Sequence, residues 1–212
     1  MDSAQIAELL RAFLAAPLSA EQLHDISMYI DLLLRWNARV NLTAVREPKE
    51  IVARHFGESL FAARQLFPSS SLDPMDTVID IGSGAGFPGL PLKIWAPSLH
   101  VTLIESNQKK ATFLREVIRN LMLTKAEVFA GRAEEFSGTA ELIMLRAVEQ
   151  FEVILSVARR LLAYNGRMAL LIGETQVPQV RKVISDLHWR DALPIPQSSN
   201  RVLLIGVRDQ TS

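Results

Sequence analysis

A glycine-rich segment that directly follows an apolar run constrains the fold of this chain more than any other feature. The apolar run Thr77–Ile81 leads into the sequence Gly-Ser-Gly-Ala-Gly of residues 82–86, and a helical stretch is predicted from residue 89. Glycines at such a place let the backbone approach a ligand closely, and the N-terminus of the next helix offers unpaired N–H groups and positive potential. The segment predicts a strand, a loop and a helix, with a ligand site at the carboxyl end of the strand.

Apolar runs and helical stretches alternate after residue 77, which is typical of βαβ units and a mostly parallel sheet. The final pair of runs, Trp189–Ile195 and Arg201–Val207, is joined by a short turn alone, which predicts an antiparallel hairpin at the sheet edge. The predicted strands are Thr77–Ile81, His100–Glu105, Glu127–Ala130, Leu142–Val148, Arg167–Ile172 and Arg201–Val207, with helices at about 89–96, 108–121, 149–164 and 176–187. The predicted fold class is α/β.

The first 67 residues have only helical patterns. Ser19 with Gln22 has the form of a capping box, and a third helix is predicted after Pro48. A polar, proline-bounded segment from Pro68 to Pro74 separates this region from the strands. We therefore expect two domains, an N-terminal helical cap of residues 1–70 and a sheet domain of residues 71–212.

Composition limits the classes of protein to which the chain can belong. It has 23 basic and 23 acidic residues, and this neutrality is mild evidence against a nucleic-acid partner, which usually attracts a basic excess. Cysteine is absent, and the four histidines have no metal-ligand spacing, so no metal is expected. No apolar run is long enough to span a membrane and the N-terminus does not resemble a secretory signal, so we expect a cytoplasmic monomer.

Two ligands fit the glycine segment. Residues 84–89 match the G-x-G-x-x-G pattern of dinucleotide enzymes. Asp80, however, lies two residues before Gly82, where a carboxylate can meet the amino-acid part of S-adenosylmethionine through its ammonium or an ordered water. Pro88 removes an N–H group that a pyrophosphate site would use. These features favour S-adenosylmethionine, bound through Asp80 and the loop residues Gly82, Ser83, Gly84 and Gly86, over a dinucleotide or a purely structural turn.

Two acidic positions further along the chain are candidates for the nucleoside part of this cofactor. Glu105 closes the second predicted strand, where its carboxylate can accept both ribose hydroxyls; the alternative is an ordinary solvated acid. Ala133, through its backbone amide, or Glu134, through its side chain, can read the adenine edge. A solvated charge cluster is the simpler interpretation of that segment.

These residues together resemble the glucose-inhibited division protein B family, the bacterial small-subunit (16S) ribosomal RNA guanine-N7 methyltransferases. The resemblance covers nearly the whole chain. It is carried by Trp36-Asn37, Asn41-Leu42-Thr43, Arg54-His55, Ser59-Leu60, the segment from Asp80 to Pro91, Glu105-Ser106, Lys109-Lys110, Phe113-Leu114, Arg132 to Glu135, and Arg146-Ala147-Val148. The chain departs from the family at Leu145 and Ile172, where the family usually has serine and lysine.

The resemblance implies a Rossmann-like class I methyltransferase sheet, with S-adenosylmethionine as cofactor and 16S ribosomal RNA or the 30S particle as partner. By resemblance the cofactor contacts are Gly82, Phe87, Ala133, Glu134 and Arg146, and the RNA-facing cations are Lys109, Arg132 and Arg201. His55 is expected to fix the helical cap. We expect Lys109→Ala and Arg201→Ala to weaken RNA binding without changing cofactor affinity.

The expected chemistry needs alignment and no general base. Guanine N7 has a lone pair and no proton, and Arg146, whose guanidinium stays charged, is expected to orient the base or a phosphate as the catalytic residue. No Asn-Pro-Pro-Tyr or Asp-Pro-Pro-Tyr sequence, which would indicate methylation of an amino group, follows the fourth strand. A methyltransferase of another substrate class, a non-catalytic cofactor-binding protein and a nicotinamide oxidoreductase are the alternatives.

Overall fold

An eight-stranded sheet forms the centre of the protein, seen in a computed structural model that describes residues 1–68, 77–147 and 151–208. The strands are β1 Thr77–Ile81, β2 His100–Ile104, β3 Ala126–Phe129, β4 Ala140–Arg146, β5 Leu162–Gly173, β6 His188–Trp189, β7 Leu193–Pro194 and β8 Arg201–Val207. Their order is β3-β2-β1-β4-β5-β8-β6, and β7 also pairs with β8. The first five strands are parallel and β8 is antiparallel to its neighbours, which confirms the predicted fold class and terminal hairpin.

Helices cover both faces of the sheet. They are α1 Ser3–Leu10, α2 Ala20–Asn37, a long α3, α4 Gly89–Trp95, α5 Gln108–Asn120, α6 Phe151–Leu161 and α7 Val177–Val183. Helix α3 consists of Pro48–Glu50, a π-helical part Ile51–Gly57 and Glu58–Leu66. Short 3-10 turns lie at Ala133–Glu135 and Glu174–Gln176.

Alternate residues of the central strands point into two separate hydrophobic cores. Val78 and Met144 face the core that contains α1 to α5, whereas Ile79 and Leu145 face the core that contains α6 and α7. Successive side chains of a strand point to opposite faces, so each central strand contributes to both cores. The N-terminal helices therefore lie on the same face of the sheet as α4 and α5.

The N-terminal region folds into the three predicted helices. The capping box at the start of α2 is confirmed: the N–H of Ser19 donates to Gln22 Oε1 at 2.9 Å, and the N–H of Gln22 donates to Ser19 Oγ at 3.1 Å. The π-helical part of α3 was not predicted; π-helical segments inside α-helices are frequently found at functional sites. The proposed boundary at residue 70 and most of the Pro68–Pro74 segment lie outside the described residues, so the domain division stays a prediction.

Several element boundaries differ from the sequence prediction, among them the starts of β4 at Ala140 and of β5 at Leu162. Helix α6 ends at Leu161 and not at 164, because Leu162 already pairs with Ala140 of β4. The register then shifts, and Asn165 takes a left-handed φ of 57° before Arg167 pairs with Leu142. Strand β3 begins one residue earlier than predicted, and α7 ends four residues earlier than predicted. The predicted end of the fourth strand at residue 148 and the start of the next helix at 149 lie outside the described residues.

Candidate functional site

A cavity of about 500 Å³ opens at the carboxyl ends of the parallel strands. This volume lies within the range of roughly 300–1,000 Å³ that is usual for small-molecule sites. Its walls are formed by the glycine loop, the segments after β2 and β3, the end of β4 and parts of the N-terminal helical region. The predicted site residues that line it are Gly82, Ser83, Gly84, Phe87, Glu105, Arg132, Ala133, Glu134 and Arg146. Asp80, Gly86, Lys109 and Arg201 are not among the residues that line it.

The glycine loop is tied to the end of β2. The N–H groups of Gly82 and Ser83 both donate to the carbonyl of Ile104, at 2.9 and 3.0 Å. Gly82 and Gly84 have φ of 69° and 58°, in the left-handed region that favours glycine. A Cβ on Gly84 would meet no atom closer than 3.8 Å, so the space above this residue belongs to the cavity.

Glu105 holds the loop while it faces the cavity. Its Oε2 accepts from the N–H of Gly84 and its Oε1 accepts from the N–H of Asn107, both at 2.8 Å. The side chain is buried, yet it lines the cavity. An ionised carboxylate has about four acceptor sites, so each oxygen retains a lone pair for a hydroxyl of a ligand. The geometry fits the predicted role in binding a ribose, which stays a prediction.

Asp80 lies underneath the glycine loop and not in the cavity wall. It is fully buried, and its Oδ2 accepts from the N–H of Gly89 at 3.1 Å. Its Oδ1 has no hydrogen-bond partner among the described residues. Burial raises the pKa of Asp80 from 3.8 to about 7, against the opposing effect of the bond from Gly89. The predicted contact with the cofactor, direct or through water, stays a prediction.

The turn after β3 is fixed by cations. Arg132 forms an ion pair with Glu134 at 3.3 Å, and Arg160 donates to the backbone carbonyls of Ala133 and Glu134 at 3.2 and 3.1 Å. Ala133 begins a 3-10 helix, so its N–H has no partner within that helix. Arg132 and Glu134 are both exposed, and both line the cavity. This arrangement offers a backbone donor and a carboxylate to the edge of a base.

Arg146, at the end of β4, is held by three acceptors from α3. Its Nη1 lies 3.0 Å from Nδ1 of His55, and its Nη2 donates to the carbonyl of Arg54 and to Oε2 of Glu58, each at 3.0 Å. The side chain of Arg146 is only 10% exposed, yet it lines the cavity. Ala147, next in the chain, has a φ of 50°, which turns the backbone sharply at this point. Arg146 is therefore held in place by His55 and Arg54 of the π-helical part of α3 and by Glu58, which follows it.

Glu58 binds a second arginine as well. Its Oε1 forms an ion pair with Arg201 of β8, and the Glu58 side chain is 2% exposed. Burial raises the pKa of Glu58, while the two neighbouring guanidiniums act in the opposite direction. Arg201 is thus a partner of a buried carboxylate and not an unpaired surface cation. Its predicted RNA contact stays a prediction.

Aromatic rings connect the loop to the N-terminal helices. Phe87 stacks on the imidazole of His55, with ring centroids 4.8 Å apart, and on Tyr29, at 5.4 Å. Phe56 packs edge-on against Phe87 at 5.1 Å. Burial, with a smaller effect from Arg146, lowers the pKa of His55 from 6.5 to about 3, so this imidazole is neutral. His55 therefore joins the cap to the site, a larger role than the predicted one of fixing the cap.

The sequence argument assigned no role to Thr43 and Asn37. The side chain of Asn37 accepts from the N–H groups of Leu42 and Thr43 at 2.9 and 3.0 Å and donates to the carbonyl of Thr43 at 3.0 Å. Thr43 lines the cavity, and its Oγ1 lies 2.8 Å from Nε2 of His55. The family resemblance included Trp36-Asn37 and Asn41-Leu42-Thr43, but it assigned no function to this segment.

The two lysines at the start of α5 lie differently with respect to the cavity. Lys110, to which the sequence assigned no RNA contact, lines the cavity, whereas Lys109 is exposed outside it. Both departures from the family, Leu145 and Ile172, are buried in the core that contains α6 and α7. Neither of these two side chains lines the cavity.

No helix in residues 1–68, 77–147 or 151–208 has the length and apolar character needed to cross a membrane. Within the same ranges, no three His, Cys, Asp or Glu side chains are grouped so as to hold a metal ion.

Comparison with known proteins adds to this geometry. The family model described as GidB, rRNA small subunit methyltransferase G, matches residues 22–191. The chain belongs to this family. Proteins named ribosomal RNA small subunit methyltransferase G are 40% identical over 191 residues in Desulfitobacterium hafniense (strain Y51) and 32% identical over 203 residues in Bacillus subtilis (strain 168). The matches cover 86% and 89% of this chain and 77% and 83% of those proteins.

Solved structures show the same fold at low sequence identity. Magnesium protoporphyrin IX methyltransferase from Synechocystis PCC 6803 with bound SAM has a TM-score of 0.67 at 15% identity, over 92% of this chain and all of that one. A SAM-dependent methyltransferase from Aquifex aeolicus has a TM-score of 0.60 at 14% identity, over 79% and 96%. The chain thus has the class I methyltransferase fold that the sequence predicted.

Proposed function

We propose that the protein transfers a methyl group from S-adenosylmethionine to N7 of a guanine in small-subunit (16S) ribosomal RNA. One observation supports the proposal in addition to family membership. The same cavity is lined by the glycine loop and Glu105 on one side and by the guanidinium of Arg146 on the other. The cavity therefore has room for a cofactor and, beside it, an entrance for a base. The ribosomal substrate would place the protein in the cytoplasm.

The order of the strands supports the orientation of the cofactor. The order β3-β2-β1-β4 places Ala133 and Glu134, then Glu105, then the glycine loop, then Arg146 in sequence along one edge of the sheet. We assign the adenine to the first of these positions, the ribose to Glu105 and the amino-acid part to the loop above Asp80. Gly82, Ser83, Gly84 and Phe87 would form the wall of the cofactor site, and Gly86 would support it from below.

The residues present fit a reaction without a general base. When bound, S-adenosylmethionine supplies a methyl group on a sulfonium, and N7 of guanine accepts it without losing a proton. His55 lines the cavity, but its pKa of about 3 makes it a poor proton acceptor at neutral pH. Arg146 is buried and pinned by Glu58, so it can orient the base or a phosphate and takes no proton. Alignment of the nucleophile with the methyl group is the main contribution of such a site.

Cations near the cavity entrance suit an RNA substrate. Lys110 and Arg132 line the cavity, and Lys109 lies next to it on the exposed start of α5. Phosphate contacts by a few local cations can bind RNA even in a protein of zero net charge. We include Arg201 as a fourth RNA-facing cation, which would contact RNA while it stays paired with Glu58. The target base would have to be presented out of its stack to reach this depth.

Transfer of a labelled methyl group tests the proposal. Purified protein is incubated with tritiated S-adenosylmethionine and either 30S particles, free 16S RNA or 50S particles, and the label in RNA is counted. Borohydride and aniline then cleave the labelled RNA at N7-methylguanine, and primer extension locates the position. We expect one guanine in the small-subunit RNA. Label in protein or small molecules, or cofactor binding without any transfer, would instead identify another substrate class or a non-catalytic relative.

A further inference from the structure

The hydroxyl group of Thr43 is oriented by two donors. Its Oγ1 accepts from the backbone N–H of Val45 at 3.1 Å and lies 2.8 Å from Nε2 of His55. The direction of the second bond follows from Arg146, whose Nη1 lies 3.0 Å from Nδ1 of His55. A guanidinium can only donate, so Nδ1 accepts and the proton of the neutral imidazole is on Nε2. The imidazole therefore donates to Thr43.

Both lone pairs of the Thr43 hydroxyl are thereby occupied. A hydroxyl has two acceptor lone pairs and one hydrogen, so Thr43 can act toward a ligand only as a donor. No described residue accepts that hydrogen, and Thr43 lines the cavity. The depressed pKa of His55 keeps the imidazole neutral at neutral pH, which preserves this assignment.

The position of this donor is rigid. The Asn37 side chain binds the N–H and the carbonyl of Thr43 and the N–H of Leu42, and Asn37 is itself buried. His55 is fixed from its other side by Arg146 and by stacking on Phe87. A donor held in this way loses little freedom when it binds a ligand, so it can contribute to recognition.

The same donor lies at the substrate side of the cavity. Thr43 is coupled through His55 to Arg146, which ends β4, and β4 lies beyond β1 in the order β3-β2-β1-β4. In the proposed orientation of the cofactor, the nucleoside part lies over β3 and β2. The space beside Thr43 and Arg146 is therefore left for the base that receives the methyl group.

Guanine and adenine differ at the position next to N7. Guanine presents two acceptors there, N7 and O6, whereas adenine presents the acceptor N7 and an amino group that donates. We propose that Thr43 donates its free hydrogen to O6 of the target guanine and so selects guanine over adenine; this inference rests on the proposed function. An adenine amino group at the same place would face a hydroxyl with no free lone pair.

The proposed contact is compatible with the electron balance of the transfer. The lone pair of N7 forms the new nitrogen–carbon bond, and the electron pair of the broken carbon–sulfur bond stays on sulfur. No proton is released, so N7 has to remain free of donors, and a donor at O6 orients the base without blocking it. Thr43 then acts on the binding and orientation of the substrate base.

A substrate-by-variant comparison tests this contact. Wild type, Thr43→Val, Thr43→Ala and Thr43→Ser are assayed on ligated small-subunit RNA with guanosine, inosine or 2-aminopurine riboside at the methylated position. Inosine retains O6, and 2-aminopurine does not. For wild type we expect inosine to react like guanosine and 2-aminopurine to lose about tenfold in kcat/KM, the size of one hydrogen bond. On guanosine RNA, Thr43→Val should have a kcat/KM about tenfold below that of wild type, and 2-aminopurine should cause no further loss in this variant. The kcat/KM of Thr43→Ser should stay close to that of wild type.

The outcomes separate this inference from the proposed function. If wild type transfers no methyl group to guanosine RNA, the proposed function fails. If wild type is active but Thr43→Val matches it, or if the losses from Thr43→Val and from 2-aminopurine multiply, the contact with O6 is wrong. Calorimetry should show unchanged affinity for S-adenosylmethionine in all three variants. Thr43→Val and Thr43→Ala should lose about 1–3 kcal/mol in the free energy of unfolding, because the N–H groups of Val45 and His55 lose their acceptor, whereas Thr43→Ser should keep wild-type stability. If Thr43→Val does not fold, Thr43→Ala serves in its place, and the wild-type comparison of inosine with 2-aminopurine tests recognition of O6 without any variant.

Discussion

The phenol of Tyr29 fills the space in which residue 86 would place a side chain. Its hydroxyl lies directly against the Cβ position of Gly86 and donates to the carbonyl of Ala85 in the same loop. Tyr29 is fully buried in α2, so a helix of the N-terminal region packs against the glycine loop from below. The loop and the helical region are therefore packed directly against each other.

Gly86→Ala should destabilise the fold strongly, whereas the protein should still fold with Gly84→Ala. Alanine at 86 would clash with the buried Tyr29 and Leu90 and would also have to adopt a φ of 89°. We expect a loss of about 3 kcal/mol or more in the free energy of unfolding, from overpacking together with backbone strain. Alanine at 84 has open space and a φ of 58°, so only about 1–2 kcal/mol of strain is expected.

Urea unfolding of both variants checks this difference. The two substitutions add the same methyl group to the same loop, so Gly84→Ala is the matched control. Equal stability of the two variants would mean that Tyr29 moves aside and does not define the loop. Because the Cβ of Gly84→Ala would project into the cavity, this variant should bind S-adenosylmethionine more weakly although it folds.

Asp80→Asn should remove a pH dependence of stability. The pKa of Asp80 rises from 3.8 to about 7 on folding because the carboxyl is fully buried. The folded protein therefore binds this proton more tightly than the unfolded chain, and the contribution of Asp80 to stability is greatest below about pH 4. It is lost as the pH rises to about 7, by about 1.4 kcal/mol per pH unit.

Unfolding free energies of wild type and Asp80→Asn between pH 4 and 8 measure this contribution. The free energy of unfolding of the variant should increase relative to that of wild type as the pH rises. The difference between the two proteins should become constant above about pH 7. The depressed pKa of His55 acts in the opposite direction, since the unfolded chain binds that proton below pH 6.5. His55 is present in both proteins, so its contribution cancels in the difference. A difference that does not change with pH would show that Asp80 titrates normally.

The sequence predicted the sheet and the position of the glycine loop well, because both depend on local pattern. The apolar runs, the glycines and Glu105 lie in short segments that are recognised from residues close together in the chain, although the strands are not in chain order in the sheet. The Arg146 site was harder, since it depends on residues 88 to 92 positions apart along the chain: Arg146 contacts Glu58 and Arg54 across two elements. Family resemblance marked Arg54 and Arg146, and it gave no contact between them or with Glu58.

Side-chain direction was a second limit of the sequence argument. Lys109 and Lys110 are neighbours with the same chemistry, yet only Lys110 lines the cavity, because α5 turns consecutive residues about 100° apart. Arg201 was predicted by resemblance to be an RNA-facing cation, and nothing in the sequence indicated an acidic partner for it. Its pairing with Glu58 requires that β8 return beside β5, a long-range feature that no local pattern contains.

Arg201→Ala and Lys109→Ala should differ in stability although both weaken RNA binding. Arg201→Ala leaves the buried Glu58 with Arg146 alone, so we expect a loss of about 1–3 kcal/mol in the free energy of unfolding. Lys109 is exposed, and its removal should change stability by less than about 0.5 kcal/mol. Each phosphate contact that is lost should lower the slope of log affinity against log salt by about one.

Fluorescence anisotropy with labelled small-subunit RNA fragments at several salt concentrations, combined with calorimetry for S-adenosylmethionine, tests these expectations. Cofactor affinity should be unchanged in Lys109→Ala. Unchanged RNA affinity in both variants would remove these two residues from the proposed RNA interface, without affecting the assignment of the cofactor site.

Glu105→Gln should weaken binding of S-adenosylmethionine strongly. Both carboxylate oxygens accept backbone N–H groups, from Gly84 and Asn107, so an amide NH₂ in either place would face a donor. The loop would shift, and the proposed bonds to the ribose hydroxyls would lose a charged acceptor. We expect about a 10- to 100-fold loss of affinity, equivalent to about 1.5–3 kcal/mol for hydrogen bonds to a charged group.

Glu127→Gln is the matched control for this measurement. Glu127 lies on the neighbouring strand β3, is exposed, and accepts from Thr102 Oγ1 at 2.9 Å outside the cavity. Calorimetry should show wild-type affinity for this variant. Equal affinity of Glu105→Gln and wild type would leave Glu105 as a purely structural anchor of the loop, and the ribose would then need another acceptor in the cavity. Weakened binding of S-adenosylmethionine and of adenosine alike would place the effect at the nucleoside part, because adenosine lacks the amino-acid part that the loop is proposed to hold.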